Sequence, residues 1–325
     1  MKYYELDADQ AFDSLRVLVM IAKVADNGFA QPQRALLSAI QKCLLHTELK
    51  IEDLEAITAK ELSKRFTDPL KSRQLIQQMI IVGLADGPPS KAQSELVSDI
   101  ATALKVHEPA VKVIADLMQG NRIRFRLGFY RHSHLLEYFG TQFRTQGGVV
   151  GVIKGILGFR GFVENRELAD KFHALANLPK DTLGHQFFQH CKNNGLSFPG
   201  EKGGFPVGAV WHDFGHVLGA YDTSPEGEIM AASFQAGYRR NENAFFTMLF
   251  ALLIHTSGIN MAPFDMPVLK GRIGNGNLAV KMFNAWLKGV ATTVDIGADW
   301  DFWPYVNQPI DQVRKQLGVD SLDNA

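Results

Sequence analysis

Residues 1 to about 120 repeat themselves at an interval of 60. Ile21, Val24, Ala25, Asp26, Gln33, Leu36, Ser38, Ile40 and Leu44 are matched by Ile81, Leu84, Ala85, Asp86, Gln93, Leu96, Ser98, Ile100 and Leu104. A pattern of this length builds the same supersecondary unit twice: a helix ending at Ala-Asp, a short Gly/Pro turn, then a second amphipathic helix. Neither helix pair buries its apolar stripe alone, so the two are expected to pack together as a compact all-α domain. Alternating strand-like patterns are scarce in the rest of the chain. The expected fold class is all-α, two helical domains, with residues 1–122 forming the first and 123–325 the second. The cut falls where the composition turns polar and basic, at Gly120-Asn-Arg-Ile-Arg-Phe-Arg126.

The chemistry concentrates in Phe205–Glu228. Pro206 suits a first helical position and Gly219 a left-handed cap, which predicts one helix from Pro206 to about Gly219. At about 100° per residue, Val207, Val210, Trp211, Phe214, Val217 and Leu218 share the arc expected to face a core. The opposite arc carries His212, Asp213 and His216 beside Gly208, Gly215 and Gly219. His212 and His216 are four apart and Asp213 is three before His216, the separations at which helical side chains meet. Ser224 and Pro225 then read as cap and first residue of a returning helix that brings Glu228 back towards the three. His212, Asp213, His216 and Glu228 are therefore the candidate metal ligands. Two imidazoles and two carboxylates suit a divalent metal, with zinc first and iron, manganese or cobalt also matching the set. The glycines on this arc are expected to leave room for a flat ligand, in an apolar pocket lined by helices such as 244–254.

Lys+Arg and Asp+Glu balance at 34 each, and no basic stripe interleaved with aromatics points to nucleic acid. The two cysteines, Cys43 and Cys191, stand in unrelated contexts, so neither a disulfide framework nor a thiolate metal site is expected. The N-terminus, MKYYELDADQAFD, is acidic where an export signal is basic and then apolar, so no export or transit sequence is read, and the expected localisation is cytoplasmic or peripheral to the inner membrane. The longest apolar run, 244–254, is too short to span a bilayer. A glycine-spaced apolar run, 147–162, reads as a buried helix or a membrane-touching segment, with burial preferred. Gly274-Asn-Gly276 follows no strand and reads as a turn and cap rather than a dinucleotide loop. His185, His190 and His255 read as packing or hydrogen-bonded core residues. No residue is singled out as catalytic.

The string His212-Asp213-x-x-His216, eleven residues, then Glu228 resembles the H-D-x-x-H-x11-E signature of the Coq-four family of ubiquinone (coenzyme Q) biosynthesis. Asp181-Thr-Leu-Gly-His-Gln-Phe-Phe188 is similar to that family's T-L-G segment, and Trp303-Pro-Tyr-Val-Asn-Gln-Pro-Ile-Asp-Gln-Val-Arg-Lys-Gln-Leu-Gly318 to its W-x-x-P/S-L-x-x-L-R-x-x-L-G ending. The resemblance spans roughly 125–320. Gly208-Ala-Val-Trp and Gly237-Tyr-Arg-Arg-Asn-Glu-Asn depart from the family's segments before and after the motif, so substrate contacts are not carried over. The repeat resembles the tellurite-resistance TerB-like helical domain. That family's acidic turns reduce here to Asp26 and Asp86, which also serve as helix starts or stops.

The Coq-four resemblance implies a metal-dependent protein acting on a prenylated hydroxybenzoate-type quinone precursor, with ring decarboxylation and hydroxylation as the implied chemistry. The alternative that the resemblance also supports is a non-catalytic organiser that holds a polyprenyl lipid and recruits other quinone-biosynthesis proteins. A third reading, an HD-type metal phosphohydrolase, fits the His-Asp pair and leaves Glu228 unexplained.

Overall fold

The structure, a computed structural model, describes residues 1–133, 164–261, 267–297 and 300–319. Among these the chain is helical, and β-pairing is confined to isolated bridges between Thr182 and Pro309 and between Ser257 and Lys270. The all-α expectation holds. The apolar run 147–162 lies outside the described residues. Two compact units form, Lys2–His132 with Phe245–Asn284, and Ser133–Ala244 with Ala285–Ala325 and Met1.

The first unit contains α1 (Ala8–Lys23), α2 (Gln31–Ile40), α3 (Ala59–Arg65), α4 (Pro69–Gly83), α5 (Lys91–Ala103), α6 (Pro109–Met118) and α7 (Arg122–His132). The repeat emerges as two helix pairs, α1 with α2 and α4 with α5, packed on one another. Local signals start these helices: Asp7 accepts from Gln10 N, Asp68 from Leu70 N, and Ser90 from Gln93 N, while Pro32 and Pro69 occupy first-turn positions. The copies diverge at their ends. The α2 helix closes in a π turn, Gln41–Leu45, stopped by left-handed His46, while α5 runs on to Ala103. Gln41 accounts for this, because its amide accepts from Leu49 N at 2.8 Å and donates to Leu49 O at 3.2 Å, drawing the chain back. Asp26 and Asp86 follow the caps of α1 and α4, and Asn27 donates to Asp86 at 3.2 Å.

A cut at 122/123 assigns α12 (Ala244–His255) and the segment after it to the second half, whereas from Phe245 to Asn284 the chain packs into the first unit. The cause is the apolar run itself. Phe245, Phe246, Met248, Leu249, Leu252, Leu253 and Ile254 are all buried, so the helix needs apolar partners on every side. Phe129 of α7 meets Phe246 and Phe250 with ring centroids 5.4 and 6.0 Å away. Thr256 and Ser257 donate to the carbonyls of Ala85 and Leu84, just past the end of α4 in the repeat's second helix pair. The side chains expected to line a pocket beside the histidines are instead core residues of the first unit.

The second unit is built from α8 (Arg166–His173), α9 (Leu183–Asn193), α10 (Val210–Gly219), α11 (Pro225–Tyr238), the end of α13 (Leu278–Ala291) and α14 (Ile310–Leu317). Phe172, Leu183, Phe187, Phe214, Phe234 and Phe302 belong to its core, with Phe187 stacked on Phe214 at 4.4 Å. The segments flanking the histidine motif are its framework. Thr182 caps α9, and Gly184 comes so close to Val306 that a Cβ would sit 2.9 Å from its carbonyl oxygen. Arg314 of α14 donates through Nε to Leu218 O and through Nη2 to Val217 O, both at 3.0 Å, which satisfies open carbonyls at the end of α10.

Candidate metal centre

The α10 helix begins at Val210, not Pro206. Residues Val207–Ala209 form a 3-10 turn after an extended Pro206. Trp211, Phe214 and Leu218 face the core as the spacing requires, and His212, Asp213 and His216 take the other side. The helix ends with Ala220, rather than Gly219, in the left-handed conformation at φ 58°. The Tyr221 ring lies where a Cβ on Gly219 would be, so the glycine is spent on that close approach and the turn passes to Ala220. Ser224 then caps α11 by accepting from Gly227 N at 3.1 Å, and Pro225 opens it, as the sequence suggests.

This hairpin brings His212, His216 and Glu228 together, with one ligand atom from each lying within 4.8 Å of the others. His212 Nε2 and His216 Nε2 are 3.3 Å apart; Glu228 Oε2 is 3.6 Å from the first and Oε1 3.5 Å from the second. His216 is buried and its Nδ1 stands 3.2 and 3.1 Å from the carbonyl oxygens of Tyr221 and Asp222. Carbonyl oxygens only accept, so Nδ1 carries the proton and the Nε2 lone pair of a neutral ring points at Glu228 and His212. His212 Nδ1 meets the Gln235 amide, with Oε1 at 3.3 Å and Nε2 at 3.1 Å, and the same amide nitrogen donates to His212 O at 3.1 Å. That amide serves either tautomer of His212.

Asp213 is placed differently from the other three. Its Oδ1 lies 3.4 Å from His190 Nε2, and His190 stacks on His216 with centroids 5.4 Å apart. The Asp213 carboxylate still acts on His216 through its charge. Burial pulls the His216 pKa down, but the hydrogen bond and charge of Glu228, the charge of Asp213 and the Tyr221 carbonyl together raise it above the ordinary histidine value. Cys191 is buried in the core, and burial together with the Asp213 and Glu201 charges pushes its pKa up.

Gly215 and Gly219 on the histidine arc do not border open space. A Cβ on Gly215 would stand 2.6 Å from Gln235 Nε2 and 3.1 Å from its Cγ, so the missing side chain admits α11 and its amide. The expectation of room for a ring is thus corrected at two of the three glycines, because Gln235 occupies the ground at Gly215 and Tyr221 that at Gly219. Gln235, His190 and the Tyr221 and Asp222 carbonyls are the contributors that sequence reasoning missed. A signal for Gln235 existed: it is seven residues after Glu228 on the same helix, about 20° away around the axis. His185 is buried with Nε2 3.4 Å from Gln189, and His255 is buried in the first unit.

The residues present fit a divalent ion. Imidazole Nε2 atoms and a carboxylate converge, and the remaining ring nitrogens are held by backbone and amide groups, the support that orients metal-ligating histidines. Among the described residues no helix is long and apolar enough to cross a membrane. No family model matches the chain, and no curated protein matches it. A solved structure described as a "putative ubiquinone biosynthesis protein", from Nostoc punctiforme PCC 73102, is similar with a TM-score of 0.36 and 18% identity, covering 66% of this chain and 96% of that one. A similarity at that level carries no argument about what this chain does.

Proposed function

We propose that His212, His216 and Glu228 hold a divalent metal, zinc first, in a protein of ubiquinone biosynthesis that binds or acts on a prenylated hydroxybenzoate-type precursor. The observation that carries the metal reading is the convergence of two Nε2 atoms and one carboxylate, with His216 Nδ1 fixed by two backbone carbonyls. The quinone reading rests on the spacing of the His212, Asp213, His216 and Glu228 motif and its two flanking segments. When bound, the ion would supply a Lewis acid for a carboxylate or phenolate oxygen. The chain's own groups prepare that site: Tyr221 and Asp222 hold His216, Gln235 holds His212, and three protein donors are one fewer than a closed four-ligand zinc site uses. Asp213, with Oδ1 3.4 Å from His190 Nε2, stands outside the cluster of three and is the candidate fourth ligand. Replacing it by Asn separates the roles, since loss of metal marks a ligand and retention marks a partner of His190.

A second reading, a non-catalytic organiser of quinone-biosynthesis enzymes with a structural metal, is favoured by the filled glycine face, which removes the room a reacting ring needs at Gly215 and Gly219. The test is elemental analysis and lipid extraction of protein purified from cells that make ubiquinone, wild type beside His216→Ala. Metal with a prenylated aromatic acid in the wild type supports action on a precursor. Metal with polyprenyl lipid lacking such a ring supports the organiser, and absence of both metal and lipid overturns the proposal.

A further inference from the structure

We propose that the exposed face of α7, in the first unit and independent of the metal centre, docks on an anionic lipid bilayer. This helix reads Arg122-Ile-Arg-Phe-Arg-Leu-Gly-Phe-Tyr-Arg-His132 and contains no acid. Phe125 and Phe129 anchor it by burial, at 3% and 0% exposure, while Ile123 and Leu127 on the other side are 77% and 65% exposed. At about 100° per residue, Ile123 and Leu127 lie about 40° apart at the centre of the outer arc. Arg122 and Arg126 flank them on one side, Arg124 and Arg131 on the other, and all four are exposed.

Two bulky aliphatics between two arginine rows match a water–lipid boundary. The apolar pair enters the acyl region, and the long arginine stems let guanidinium groups stay at the phosphate level. The charges are available for this: among the described residues no carboxylate forms an ion pair with Arg122, Arg124, Arg126 or Arg131. The apolar surface also continues beyond the helix. An open recess of about 650 Å³ adjoins Ile123, with Pro88, Leu117, Phe125 and Ile259 in its lining and Arg122 and Arg126 on its wall. Charge complementarity selects the occupant. A nucleic-acid face would set basic or stacking aromatic groups at its centre, where this one sets Ile123 and Leu127.

The test is co-sedimentation of the full-length protein with vesicles of phosphatidylcholine alone and of phosphatidylcholine with phosphatidylglycerol. The expected result is binding to the anionic vesicles only, weakened by added salt. Arg124→Ala and Arg131→Ala each lower the partition by about fivefold, and the Ile123→Ser, Leu127→Ser double variant lowers it by at least about tenfold. These side chains are exposed, so circular dichroism should show the wild-type helix content in every variant. Failure to sediment, equal sedimentation with neutral vesicles, or binding unmoved by all these substitutions overturns the proposal. So does a duplex oligonucleotide held as tightly as the anionic vesicles through the same arginines.

Discussion

Two imidazole nitrogens 3.3 Å apart, His212 Nε2 and His216 Nε2, either share a hydrogen bond, with Nε2–H of one ring donating to the lone pair of the other, or turn both lone pairs to a metal ion. Without a metal, a proton on the pair is favoured as the pH falls. Burial alone would lower the pKa of His216, but the hydrogen bond and charge of Glu228, the charge of Asp213 and the Tyr221 carbonyl together raise it. A pKa raised on folding means that the protonated pair adds stability fully below the unfolded histidine value, near about 6.5, and loses it as pH rises through the higher folded value. The same proton blocks the lone pair a metal needs. Zinc titrations at about pH 5.5 and about pH 8 should therefore show weaker binding at the lower pH, and equal affinities would contradict this account. Gln235→Leu removes the amide that orients His212 and should lower metal affinity by about 10- to 100-fold without abolishing it. Gly215→Ala, read by the same titration, should weaken metal binding in the same direction, since its Cβ displaces that amide. Intact metal affinity with lost lipid binding would restore the reading of Gly215 as open space.

The hairpin from α10 to α11 was largely legible in the sequence, because its signals are local. Ser224, Pro225 and the four-residue spacing of His212 and His216 each act within a turn or two of chain, and the structure places Glu228 beside both histidines. The helix start was not legible: Pro206 is compatible with a first helical position and with an extended residue before a 3-10 turn, and only the fold chooses. Gln235 and the Tyr221 and Asp222 carbonyls were hidden for a related reason, since backbone acceptors leave no trace in residue type. Arg314 illustrates what the C-terminal segment does for this element. Its guanidinium holds the Val217 and Leu218 carbonyls, and Arg314→Ala should cost about 1.5–3 kcal/mol, read as a fall in denaturant midpoint with an unchanged slope. A variant as stable as wild type would show that water replaces those bonds at no cost.

The two units interleave along the chain, and that was beyond a linear reading. The internal repeat announced the first helix pairs, but nothing in 245–284 states which apolar surface it completes; burial on all sides of α12 decides it. The second unit gathers the T-L-G segment, the histidine motif and the C-terminal segment, so a metal ion held by His212, His216 and Glu228 would be linked to the folding of that unit. A ligand present at about 100 times its Kd stabilises by about 2.7 kcal/mol, so chelation should lower the wild-type Tm and leave the Tm of His216→Ala unmoved. The most direct measurement is the metal content of natively purified protein, by elemental analysis, for wild type, His216→Ala and Glu228→Gln. About one divalent ion per chain in the wild type, with little or none in either variant, is the result predicted from the convergence of these three side chains. The same metal content in all three proteins, or none in the wild type after purification and after incubation with zinc, would contradict it.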